Sequence, residues 1–177
     1  MNEPCDPNKK NPEEVRILGI DPGLNVTGYG VLTVEHNQIR LVEAGIVRSK
    51  PKQSLPQRLL SIHQGVLDVI DSLRPDFVGL EELYSHYARP KTAIIMGHAR
   101  GAICLAAGLR DIPVESYAAT QVKKVLTGNG RAPKSQVQLA VTRHLGLPEI
   151  PNPPDVADAI AIGLCHFYLN AQKQLLD

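Results

Sequence analysis

The chain has 177 residues, of which 43% are hydrophobic and 21% charged. That is enough for one domain with a substantial core and too little for two. Lys and Arg number 19 against 18 Asp and Glu, a net charge of +1, which excludes a histone-like polycation and an acidic solvating tail.

Residues 1–14 are rich in Pro, Asn, Lys and Glu, have almost nothing to bury, and read as a disordered extension. They lack the apolar core of a secretion signal, and the longest apolar stretch, 93–109, is broken by His98 and Arg100, so neither secretion nor a membrane span is expected. Cys5, Cys104 and Cys165 are an odd number, far apart and without a Cys-x-x-Cys pair. They support neither a disulfide framework nor a zinc cluster and fit a reducing, cytoplasmic setting. The folded domain is expected over 15–170, with 171–177 a C-terminal tail.

Within the domain, 15–20, 28–34 and 39–47 read as strands joined by short links, which favours an antiparallel meander. Leu59, Ile62, Val66, Val69, Ile70 and Leu73 recur at helical spacing, and Arg74-Pro75 ends that helix, predicted over 55–73. The pattern then alternates: a strand at 77–80, a helix over 92–109, a strand at 112–115, and helices near 120–126, 135–145 and 155–169. Three antiparallel strands followed by parallel crossovers give an α/β fold with a five-stranded mixed sheet flanked by helices. Gly97, Gly101 and Gly108 are expected to let the long helix approach a neighbour closely, within one subunit or between two.

Four carboxylates carry the chemistry. Asp21 ends a hydrophobic strand, an expensive place for a charge, and Glu81 and Glu82 end another. Side chains alternate along a strand, so only one of the pair faces Asp21, and Glu81 is the expected one. Asp155 and Asp158 are i and i+3 neighbours on a helix opened by Pro153-Pro154. Asp155 alone is explained by the helix dipole and Asp21 alone by the Asp-Pro-Gly turn, but Asp158 lies among Val156, Ala157, Ala159 and Ile160 on a helix that must dock on the sheet. Carboxylates gathered in this way need a cation, and with no His or Cys cluster beside them the donors favour Mg²⁺ or Mn²⁺. Two such ions activate water and stabilise a leaving oxygen in phosphodiester hydrolysis.

The motifs Gly19-Ile20-Asp21-Pro22-Gly23, Thr27-Gly28-Tyr29-Gly30-Val31, Leu80-Glu81-Glu82, Tyr117-Ala118-Ala119 to Val122-Lys123, Lys134-Ser135-Gln136-Val137-Gln138 and Asp155-Val156-Ala157-Asp158 resemble, in order, the RuvC family of bacterial Holliday junction resolvases. The resemblance runs from about Arg16 to Tyr168. It implies an RNase H-like fold, a homodimer, two Mg²⁺ per active site with Mn²⁺ able to substitute, and symmetric nicking of opposed strands of a four-way DNA junction. The RuvA–RuvB branch-migration machinery is the implied partner. Asp21, Glu81, Asp155 and Asp158 match the family's catalytic, metal-binding carboxylates, and Lys123 and Lys134 match basic residues near the scissile phosphate, Lys134 being counted with the catalytic set. The chain departs in carrying Tyr84 where the family often has Phe, and in segment 1–14.

Charge is also segregated. Between Leu83 and Pro148 the only acids are Asp111 and Glu115, whereas Arg89, Lys91, Arg100, Arg110, Lys123, Lys124, Arg131, Lys134 and Arg143 are basic. A basic stretch beside an acidic pocket suits a phosphate backbone led onto cations, with Tyr84, Arg89, Lys91, Lys123, Lys124, Arg131 and Lys134 the expected DNA contacts. Tyr84, His86 and Tyr87 offer rings for stacking on unpaired bases, and the Gly-rich loop 127–134 is expected to move over a substrate. His63 and His98 sit in helical patterns and are expected to be packed or exposed, and His166 has no assigned role. A P-loop ATPase is disfavoured because Pro133 replaces the loop's second glycine, and an actin-like kinase because the chain is too short. A non-catalytic junction-binding protein and a nuclease acting on RNA-containing duplexes remain as alternatives.

Overall fold

A computed structural model describes residues 14–36, 38–83 and 90–174. In chain order the elements are β1 (Val15–Asp21), β2 (Val26–Glu35), β3 (Gln38–Arg48), α1 (Leu55–Leu73), β4 (Phe77–Glu81), α2 (Pro90–Gly108), β5 (Val114–Tyr117), α3 (Ala119–Thr127), α4 (Lys134–Leu145) and α5 (Pro154–Gln174). The sheet order is β3-β2-β1-β4-β5. β3, β2 and β1 pair antiparallel, and β1, β4 and β5 pair parallel, the arrangement the sequence predicts.

Strand alternation sorts the core into two layers. Leu18, Ile20, Val78 and Leu80 face α1 and α2, with Ile62, Val66, Ile70, Ala99 and Ile103 among the buried partners. Leu32 and Tyr117 face the other layer, where Ile160, Ala161 and Leu164 of α5 pack with Val122 of α3 and Val141 of α4. At the end of the sheet where β1 begins, Arg16 is only 2% exposed. Its guanidinium donates to the Leu73 carbonyl at 2.8 Å and to Glu14 at 2.6 Å, while Asp76 accepts its backbone N–H at 2.7 Å. Glu14 also accepts from Thr33 at 2.7 Å, so this residue belongs to the domain and not to the extension expected over 1–14.

Element boundaries shift for identifiable reasons. The last strand begins at Val114, two residues later than expected, because Ile112 N–H closes the end of α2 on the Ala107 carbonyl at 3.1 Å and Pro113 has no N–H for a ladder. α5 continues to Gln174, past the expected tail boundary. The expectation for Gly97, Gly101 and Gly108 is not met within the chain. A Cβ at Gly97 lies 3.8 Å from its nearest neighbour, and one at Gly101 or Gly108 meets nothing within 4 Å. The close approach occurs under α5 instead: a Cβ at Gly19 lies 2.1 Å from the Ala159 carbonyl oxygen, and one at Gly28 lies 2.1 Å from that of Asp155. Glycines on the sheet let the first turns of α5 rest on the strand backbones.

Candidate active site

β1 and β4 run parallel, with Ile20 beside Leu80, so Asp21 and Glu81 end adjacent strands side by side. Ile20 and Leu80 point toward α1 and α2, which turns the next residue of each strand toward α5. Glu81 is therefore the inward carboxylate, as expected, and Glu82 is exposed. The carbonyl of Asp155 lies over Gly28, the residue paired with Asp21 across β1 and β2, and Asp158 follows one turn along α5. The close approach of α5 to the sheet thus brings the four expected carboxylates to one end of it.

The electrostatics reflect that crowding. Burial, then the charge of Glu81, then those of Asp158 and Asp155 push Asp21 up to about 8, and Asp21 donates its proton in a hydrogen bond to Glu81. Glu81 is also raised, chiefly by burial, although the bond from Asp21 and the nearby Lys134 and Lys123 pull the other way. Burial acts to lower the Lys134 ammonium, but its ion pair with Asp158 and the field of Asp21 and Asp155 outweigh this and raise it. Glu81, Lys123, Lys134 and Asp158 line a cavity of about 210 Å³ with an apolar floor that includes Val137 and Ile162.

The oxygen-only donor set fits a hard divalent cation, whose charge stabilises the deprotonated carboxylates that the metal-free cluster resists. Among the described residues no three carboxylates, imidazoles or thiols close around a single point. Burial and its acidic neighbours hold Asp21 toward its protonated form, and Lys134 holds Asp158, so cation binding requires Asp21 to lose its proton and Lys134 to release Asp158.

Of the expected DNA contacts, Lys123 and Lys134 reach this cavity, Lys91, Lys124 and Arg131 are exposed outside it, and Tyr84 and Arg89 lie outside the described residues, as do His86 and Tyr87. The loop before α4 is braced: Thr127 Oγ1 donates to the Lys123 carbonyl at 2.8 Å, Asn129 accepts from the Arg131 N–H at 2.9 Å, and Ala132 is buried. Arg100 differs from its sequence reading as one member of a basic stretch. Its guanidinium donates to the Glu81 carbonyl and to Ser116 Oγ, tying α2 to the ends of β4 and β5. His63 Nδ1 contacts the Ala102 carbonyl at 3.1 Å and His98 is exposed, in line with expectation. His166 is buried against Tyr117, whose hydroxyl lies 2.9 Å from His166 Nδ1 and donates to Glu115 at 2.6 Å, a polar tie between α5 and β5. No periodicity or motif marks Arg100 or His166, because each is defined by partners distant in sequence.

A family model described as "Crossover junction endodeoxyribonuclease RuvC" matches residues 17–166. The chain is 58% identical over 153 residues to the crossover junction endodeoxyribonuclease RuvC of Rhodopirellula baltica, covering 86% of each. Among solved structures it resembles Thermus thermophilus RuvC, with a TM-score of 0.83 and 37% identity over 90% of this chain and 97% of that one. It also resembles T. thermophilus RuvC in complex with a Holliday junction substrate, with a TM-score of 0.84 and 36% identity over 90% and 96% of the two chains. The mixed sheet and flanking helices are those of the RNase H-like fold.

Proposed function

The chain belongs to the RuvC family of crossover junction endodeoxyribonucleases, and on that premise we propose that it resolves Holliday junctions by metal-dependent nicking of two opposed DNA strands, leaving 5′-phosphate and 3′-hydroxyl ends. The observation that carries this reading is the carboxylate cluster at one end of the sheet, with Asp21 and Glu81 ending adjacent parallel strands and two lysines beside them.

Asp21, Glu81, Asp155 and Asp158 hold two Mg²⁺, or Mn²⁺ in their place. The bound cations supply activation of water and neutralisation of the leaving oxygen. Lys134, freed from Asp158, and Lys123 across the cavity bind the phosphate at the cleavage point and orient it toward the carboxylates. The apolar floor of the cavity, with Val137 and Ile162, lowers the local dielectric beneath these charges and strengthens their contacts. Lys91, Lys124 and Arg131, with Arg89 and Tyr84, carry the flanking DNA.

Symmetric nicking requires two active sites, and the exposed stripe on α2 supports a homodimer. Ile94, Gly101 and Leu105 recur on one side of the helix, with Ile94 60% and Leu105 57% exposed, while Ala99, Ile103 and Ala106 face α1. We take the nuclease unit as 15–170, extended to Glu14 and into the last turns of α5. Its setting is the cytoplasm and its partner RuvA–RuvB; no helix among the described residues is long and apolar enough to cross a membrane.

The test is nicking of an end-labelled mobile four-way junction against linear duplex and RNA–DNA hybrid, with Mg²⁺, Mn²⁺ or EDTA, for wild type and Asp21→Asn. Paired, metal-dependent nicks confined to the junction and lost in Asp21→Asn are expected. Binding without nicking under every metal, or cleavage of the hybrid instead, overturns the reading.

A further inference from the structure

A second acid-free run precedes the basic stretch: between Glu43 and Asp68 the chain carries Arg48, Lys50, Lys52 and Arg58 and no Asp or Glu. The fold brings this run to the carboxylates. β3 ends with Arg48 at the same end of the sheet where β1 ends with Asp21. Ile46 packs into the core under α5 and Val47 into the core under α1, so Arg48 emerges on the α5 side, the side of Asp21. Asp21, Gly28 and Ile46 lie in one row across three strands, with Arg48 two residues beyond. Ordinary strand spacing and rise then set the Arg48 Cα about 12 Å from that of Asp21.

The turn that follows is built rather than loose. Ser49 is buried, its N–H donates to the Asn25 carbonyl at 3.1 Å, and its hydroxyl donates to that of Leu24 at 2.5 Å. Arg58 donates to Ser49 Oγ at 3.1 Å and to Asn25 Oδ1, and the Gln53 N–H closes the turn on the Lys50 carbonyl at 3.0 Å. Arg58 is thereby committed to holding the loop that leaves Asp21. Arg48, Lys50 and Lys52 are exposed and form no ion pair among the described residues, which leaves three cations held out on a braced turn.

We propose that Arg48, Lys50 and Lys52 form a second phosphate-binding flank of the active site, occupied by the DNA strand continuing from the cleavage point. This rests on the nuclease reading above and adds to it the path of the substrate. Lys123 and Lys134 lie on the Asp158 side of the carboxylates, and Arg48 lies on the Gly28 side, on the α5 face of the sheet, with Lys50 and Lys52 on the turn that follows it. An anion reaching only the carboxylates has no use for cations about 12 Å away. Along the axis of a duplex a strand advances about 3.4 Å per phosphate, so that separation, projected on the axis, corresponds to at most about three to four nucleotides.

The experiment measures binding of the full chain to a four-way DNA junction in EDTA between 50 and 200 mM salt, with nicking in Mg²⁺ run in parallel. The variants are Arg48→Ala/Lys50→Ala/Lys52→Ala and the corresponding triple Glu variant, with Arg40→Ala, a cation 64% exposed at the far end of β3, as the charge control. All three flank residues are exposed, so melting temperatures are expected to match wild type. Each lost phosphate contact flattens the log–log salt slope by about 0.9. The triple Ala variant is expected to flatten it by about 2.7, so that its affinity deficit shrinks about 40-fold across that salt range. The Glu variant is expected to bind more weakly still, and Arg40→Ala to keep the wild-type slope. If wild type binds and nicks junctions while both triple variants keep its slope and affinity, the flank is refuted and the nuclease reading stands. If wild type neither binds nor nicks junctions, both fall together.

Discussion

Gly28→Ala tests whether the seating of α5 on the sheet makes the active site. The added Cβ sits 2.1 Å from the carbonyl oxygen of Asp155 and 3.1 Å from its Cβ, against a tight limit near 3.4 Å, so α5 or β2 must give by about 1.3 Å. The contact is backbone on backbone, in a helix whose next turn is blocked by Gly19 in the same way, so no side chain can rotate clear. Overpacking of this kind costs about 1–3 kcal/mol, which lowers the melting temperature without unfolding the protein. The larger effect falls on the chemistry. The shift displaces Asp155 and Asp158 from Asp21 and Glu81, and a misplacement near 1 Å costs about 100-fold in rate. Single-turnover nicking of a four-way junction at saturating protein, beside a thermal melt and a binding isotherm, separates these effects. The expected outcome is a rate lower by about 100-fold, a modestly reduced melting temperature and nearly unchanged junction affinity. A variant with wild-type rate and stability refutes the claim that glycine at this position sets the carboxylate geometry.

In EDTA, Asp21 makes stability fall with pH. Its folded value of about 8 lies above the unfolded 3.8, so the folded state holds the extra proton between them, and the stability is full below about 4 and lost as pH rises through 8. Melting between pH 5 and 8.5 is expected to show that decline, with Mg²⁺ reversing it and Asp21→Asn flattening it; a flat wild-type profile in EDTA refutes the crowded-carboxylate account. Lys134→Ala is expected to slow nicking by roughly 10- to 100-fold, with part of the loss salt-dependent. An unchanged rate and salt slope return Lys134 to a plain partner of Asp158. Arg100→Ala removes the tie to the Glu81 carbonyl and is expected to lower kcat by roughly 10-fold at unchanged KM, with Arg100→Lys recovering part, since one ammonium cannot keep the forked contact with Ser116. Equal kcat in all three proteins assigns Arg100 to stability alone.

Legibility varied with the range of the interactions. The helix over 55–73 was readable to the residue because its apolar period and the Arg74-Pro75 stop are local signals. The strand at 114–117 was misplaced by two residues because the helix before it captures Ile112 by a backbone bond. Strand alternation showed that only one of Glu81 and Glu82 faces Asp21, and the parallel register of β4 with β1 decided that it is Glu81. The glycines of α2 misled, since small residues at helical spacing mark room for a neighbour without saying which element takes it, and those that seat α5, Gly19 and Gly28, lie on two separate strands.

By itself the chain's sequence determined the sheet, its strand directions and the strand ends and helix start where the four carboxylates sit, because strand and helix periods, Pro and Gly stops and charge in apolar surroundings are written within a few residues of one another. Tertiary structure alone decided that Asp21 and Glu81 stand side by side at the ends of adjacent strands, that Lys134 holds Asp158, that Arg100 grips the backbone of Glu81, and that Arg48 ends its strand at the same end of the sheet as Asp21. Those facts depend on distances between segments remote along the chain, and such distances are set by how closely α5 settles on Gly19 and Gly28 and by which residues the strand register brings into line.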